Sequence, residues 1–134
     1  MTSRTDHERR FMWAVQALAL PAEQQLSLFP SFAEVADELA LEHEETQAGF
    51  LTTVGAGLTS NQTRAIEALD AKLEVMSGEE NATTFWTVEA LGGRPEWEQV
   101  RSLARNVLSV MGWPASVPPL DRGAVYVESP MADR

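Results

Sequence analysis

Cysteine is absent from the chain, which excludes disulfides, thiolate metal sites and cysteine nucleophiles and leaves stability to packing. Basic charge is scarce as well. Ten lysines and arginines stand against 20 aspartates and glutamates, giving a net charge of −10, and Lys72 is the sole lysine. Such a surplus disfavours nucleic-acid phosphates and anionic membranes as partners and favours basic ones. Long apolar runs are also missing. The stretch from Phe11 to Leu20 is interrupted by Gln16 and stopped by Pro21, short of the ~20 apolar residues that cross a bilayer. No small-residue cleavage site follows it, so the expected location is cytoplasmic.

What is present suffices for one core. A chain of 134 residues with 44% hydrophobic and 22% charged residues has the make-up of an ordinary globular domain. Its punctuation predicts an all-α fold: a bundle of five or six helices over residues 1–113, followed by an extended arm over 114–134. Thr5 or Asp6 is placed to start the first helix and Pro21 to stop it. A short helix follows and ends at Pro30, after which Ser31 and Glu34 have the spacing of a capping box for a long third helix. Gly55 and Gly57 mark its end, and the Thr59-Ser60-Asn61-Gln62 run supplies caps for a fourth helix with the seam Ile66, Leu69, Leu73 and Met76. Asn81 is the expected cap of a shorter helix through Phe85, Trp86, Val88 and Leu91. Pro95 opens the last helix, and Gly112-Trp113-Pro114 fits a Schellman ending with Trp113 folded back. In the arm, Ala124 to Val127 has β-type residues after the turn signal Asp121-Arg122-Gly123, and a single strand there would need another edge to pair with.

The most unusual feature is charge segregation. From Glu23 to Thr63 there is no lysine or arginine, while six acids fall on the long helix: Glu34, Asp37, Glu38, Glu42, Glu44 and Glu45. Like charges at i,i+4, such as Glu34/Glu38 and Glu38/Glu42, cost an isolated helix a few tenths of a kcal/mol each. A cationic surface docking on that face would relieve the repulsion and associate quickly under electrostatic steering. The structural alternative is a solvated outer face answered by arginines from other helices.

Steps of 100° per residue place His43 on the apolar side of the same helix with Phe32, Leu39 and Phe50, flanked by Thr46 and Gln47. These polar groups need hydrogen-bond partners if buried, or else they line a pocket. A metal centre is not expected: the chain has two histidines, and neither sits in the Glu-x-x-His step of two-metal carboxylate bundles or in a His-Glu-x-x-His motif. Gly55-Ala56-Gly57 follows a helix, where a dinucleotide loop requires a strand, and no nucleophile elbow or Walker loop occurs. No cofactor is expected, and a non-enzymatic role is favoured.

The function expected is a small acidic protein-binding module, of the immunity-, antitoxin-, adaptor- or inhibitor-like kind, presenting Glu34, Asp37, Glu38, Glu42, Glu44 and Glu45 to a basic protein. Those kinds are analogies of size and charge. The rival is a helical small-molecule-binding protein or enzyme with its pocket around His43, Thr46 and Gln47. A homodimer through the apolar first helix or the arm is a third way to cover exposed surface.

Overall fold

Proline and glycine divide the chain close to where the sequence places them. The computed structural model describes residues 4–122. Among the described residues the chain forms seven α-helices and no strand, so the fold is all-α. They are α1 (Arg4–Ala19), α2 (Ala22–Ser27), α3 (Val35–Val54), α4 (Ser60–Met76), α5 (Ala82–Phe85), α6 (Val88–Gly93) and α7 (Pro95–Met111), with 3₁₀ turns at Gly55–Gly57 and Glu79–Asn81. The expected strand at residues 124–127 lies outside the described residues.

Four long helices carry the core. The first of them, α1, packs against α3 and α7, and α7 packs in turn against α4. Phe11, Val15 and Leu18 of α1 meet Leu39 and Phe50 of α3, Ile66 and Leu69 of α4, and Trp97, Val100, Ala104 and Val107 of α7 in one cluster. Phe11 stacks on Phe50 with ring centroids 4.7 Å apart, and Trp113 stands edge-on to both. The apolar side of α1 from Phe11 to Leu20 is therefore covered by the chain itself; only Met12 and Trp13 are half-buried.

Several helix ends follow the local signals. Thr59 and Gln62 form a reciprocal capping box at the start of α4, each side chain accepting from the other's backbone N–H. Pro95 occupies the first turn of α7, and Gly112 ends it in the left-handed region at φ 71°, ψ 25°. There the Trp113 N–H donates to the Leu108 carbonyl at 2.9 Å, as a Schellman ending requires.

Two boundaries differ from expectation. The Ser31–Glu34 capping box does not form, because Pro30 to Ala33 close a turn of their own, with the Ala33 N–H donating to the Pro30 carbonyl. Consequently α3 starts at Val35, Glu34 stands at its N-cap without a side-chain capping bond, and Phe32 is 44% exposed instead of joining the core. The second difference is the number of helices, seven where five or six are expected. Asn81 caps nothing ahead of it and instead donates back to the Ser77 carbonyl at 2.9 Å, closing the end of α4. Thr87 accepts from the Ala90 N–H and so starts a new helix, splitting the expected one into α5 and α6.

Candidate functional site

Glu34 stands ahead of α3, and the five acids on the helix do not form one stripe. With 100° between successive residues, Asp37 and Glu44 share a row with Leu41, while Glu38, Glu42 and Glu45 share a second row about a quarter-turn away. The rows meet different surroundings.

Glu42 is held by Arg122, whose Nη2 lies 2.9 Å from Oε1 and whose Nε lies 3.2 Å from Oε2. Arg122 is buried over the Phe29 ring and also donates to the Pro119 carbonyl, so the segment after α7 folds back onto α3. Glu42 and Glu45 line a cleft of about 190 Å³ together with His7, Arg10 and Arg122. Glu38, half-buried, has its carboxyl raised above the usual range by desolvation and then by the charges of Glu42, Asp37 and Glu45. This row is answered in part by the protein's own arginines.

The first row borders a different cavity. Asp37, Ala40, Leu41 and Glu44 of α3 form one wall of a cleft of about 510 Å³, and Ser77, Ala82 and Trp86 form the other. Trp86 is fixed there: its indole N–H donates to the Met76 carbonyl at 2.8 Å and its ring meets Trp97 edge-on. Leu41 is 47% exposed between the acids. Burial, and then the neighbouring charge of Glu34, raises the Asp37 carboxyl above its usual range.

A second cleft of about 270 Å³ adjoins the first, sharing Ala40, Glu44 and Ser77, and runs inward between α3 and α4 past His43, Asp70, Leu73 and Glu74. His43 is 2% exposed, and its Nε2 has no hydrogen-bond partner among the described residues. Desolvation lowers its pKa to about 4 against the opposing pull of Asp70, so the imidazole is neutral at pH 7. One turn on, Gln47 Nε2 donates to Asp70 Oδ1 at 3.2 Å, while Gln47 Oε1 is buried without a partner. The two clefts together carry four carboxylates, Asp37, Glu44, Asp70 and Glu74, and no lysine or arginine lines either of them among the described residues.

The expected pocket residues are thus separated. His43 lines the α3/α4 cleft, and Gln47 joins α3 to Asp70. Thr46 faces the Arg122 side, with its hydroxyl bonded to the Glu42 carbonyl of its own helix. Asp70 and Glu74 escaped the sequence reading, which gave Trp86 a structural place in a helix, because nothing local marks them; only the tertiary fold sets the three across from the acids of α3. No group of three or more histidine, aspartate or glutamate side chains suited to a metal ion occurs among the described residues, and none of their helices is long and apolar enough to cross a membrane. The chain matches no known protein-family model, curated protein or solved structure.

Proposed function

We propose that this protein is a small acidic protein-binding module that takes a basic segment of a partner protein into the groove bounded by α3 on one side and by α4 and α5 on the other. On this reading the four long helices form a bundle that serves as a rigid scaffold. The supporting observation is the charge of the groove: four carboxylates line its two adjoining clefts, with no cation of the chain's own among the described lining residues. Low-dielectric walls focus such a field and speed the arrival of a cationic partner. Leu41 and Trp86 supply the apolar contact that charge alone lacks, and a fixed aromatic wall is a common anchor of such interfaces. Asp37 and Glu44 are the recognition residues of this proposal, with Glu34, Glu38 and Glu45 steering from the rim and Glu42 engaged by Arg122.

The test is nuclear magnetic resonance mapping with a short amphipathic peptide in which arginine alternates with leucine and alanine. Binding should weaken steeply with salt, perturb Leu41, Ala82 and the Trp86 indole N–H, and be lost in Asp37→Asn/Glu44→Gln. Binding that ignores those two substitutions, or that maps to the Arg122 side, refutes the proposal.

A further inference from the structure

The segment that follows α7 is seated on α3 by an arginine. Arg122 forks onto Glu42 through Nη2 and Nε, and its guanidinium carbon lies 5.2 Å from the centroid of the Phe29 ring. A carboxylate that accepts the fork and an aromatic face beside it are groups with which proteins recognise arginine. The apolar side chains of the segment have a small part in the attachment. Between Trp113 and Arg122 only Pro118 is buried, while Val117 and Leu120 are 58% and 68% exposed. The hold at Arg122 is thus a charged contact that an arginine from another chain can make in its place. Glu38 and Glu45 share the row of Glu42 on α3, and Glu45 is exposed to an arriving partner. Once Arg122 leaves, Glu42 and Glu45 outnumber Arg10, the remaining arginine of their cleft.

We propose that Arg122 is an internal stand-in for a partner's arginine: segment 114–122 occupies a second docking face, built from Phe29 and the row of Glu38, Glu42 and Glu45, and withholds it from the basic partner until displaced. The inference rests on the partner's being basic, as proposed above, but on none of the residues that line the groove. The contact then has a regulatory consequence. A tethered arginine acts at an effective concentration in the millimolar range, so a single incoming arginine is outcompeted below it. A segment with several arginines, held first in the groove on the neighbouring row of the same helix, is itself tethered and can open the face. Weakly basic proteins are thereby excluded from it.

The experiment repeats the resonance titration, with the peptide of arginine, leucine and alanine, on the full chain carrying Arg122→Ala or Arg122→Lys. Arg122→Ala should bind a second equivalent of peptide that perturbs the Thr46 and Gly49 amides and the Phe29 ring. Its affinity there should exceed that of wild type roughly a hundredfold, the factor by which the buried pair favours the internal arginine. Arg122→Lys, which keeps the charge but not the fork, should fall between the two, and it decides the matter if the alanine chain does not fold. Adding Glu42→Gln to either variant should abolish the second site and leave the groove as it was. If the folded variants bind the peptide with the stoichiometry and map of wild type, the proposal is overturned and the groove stands. A second site that survives Glu42→Gln overturns it as well. If wild type binds no peptide while an Arg122 variant binds it at Thr46 and Gly49, the groove falls and the second face stands.

Discussion

Arg122 forks onto Glu42 across 80 positions of sequence, through two nearly parallel N–H···O contacts of 2.9 and 3.2 Å. The side chains are 3% and 13% exposed, so the pair is largely shielded from water, and Phe29 closes one side of the guanidinium. Removing one member of a buried pair strands the other, at a cost of about 3 kcal/mol. Arg122→Ala should therefore lower the free energy of urea unfolding by about that amount. Arg122→Lys should recover only a fraction, since an ammonium cannot fork, and Glu42→Gln in the Arg122→Ala background should restore part of the loss. An Arg122→Ala midpoint equal to wild type would show that this segment contributes nothing to stability.

A second long-range contact joins three helices. Gln25, fully buried, donates through Nε2 to the Ala17 and Leu18 carbonyls at the end of α1, both at 3.1 Å, and accepts from Arg101 Nη1 at 2.9 Å. Arg101 also donates to the Leu91 carbonyl and to Glu98, and hydrogen bonds from Arg101 and Arg105 hold the exposed Glu98 carboxyl below its usual range. The last carbonyls of a helix have no partner inside it, so Gln25 acts as a cap supplied by the next helix. Gln25→Leu keeps the volume but strands the Leu18 carbonyl and one guanidinium nitrogen, and leaves the Ala17 carbonyl with only the 3.4 Å contact from the Leu20 N–H. A loss of about 3 kcal/mol is expected by chemical denaturation, with earlier hydrogen exchange at the amides near the α1 end. A loss below about 1 kcal/mol would mean that water replaces the amide there.

The contrast between these contacts and the helix ends explains what could be read in advance. Thr59 with Gln62, Pro95 and Gly112 act within four residues of themselves, so residue type and spacing suffice. The burial of His43 also follows from helical geometry alone, because Leu39 and Phe50 fix the inward face. Ser31 misled because Pro30 offered a competing local hydrogen bond, and the turn won. Arg122 with Glu42, Gln25 with Arg101, and the carboxylates of α4 that join Asp37 and Glu44 in one groove depend on which helices become neighbours. An acidic helix was therefore visible in the sequence, but its division into a row anchored at Glu42 by Arg122 and an open one was not.

The half-buried His7 ring of α1 lies against the missing side chain of Gly49 in α3. A Cβ built there would lie 2.6 Å from His7 Nδ1 and 2.9 Å from His7 Cε1, closer than atoms can approach without movement. Glycine inside a helix costs about 1 kcal/mol relative to alanine, so its presence is explained by this approach. Gly49→Ala should lower the melting temperature, because displacing the half-buried His7 ring costs more than the propensity gain. In a His7→Ala background the same substitution should raise it, by a free energy near the full ~1 kcal/mol of helix propensity. A destabilising effect of equal size in both backgrounds would locate the clash elsewhere.

His43 makes stability depend on acid in a direction that can be worked out. Its pKa falls from 6.5 in an open chain to about 4 in the folded protein, so between those values the unfolded state binds a proton that the folded state does not. The folded state thus keeps its full advantage above pH 6.5 and loses it as the pH drops toward 4. The slope is about 1.4 kcal/mol per pH unit, for a total of about 3 kcal/mol. Asp70, which faces the ring from α4 and favours its charged form, limits the loss and does not reverse it. Asp37 and Glu38 pull the other way, since carboxyls raised in the folded state bind protons more readily there and add stability as the pH falls. The histidine is therefore isolated by difference: the wild-type unfolding free energy minus that of His43→Gln, followed from pH 7 to pH 4. That difference should shrink by about 3 kcal/mol as the pH falls, because the glutamine chain lacks the titrating group and retains every acid. A difference that stays flat over the interval would mean that the imidazole is hydrated in the folded protein and that the cleft reaches it with water.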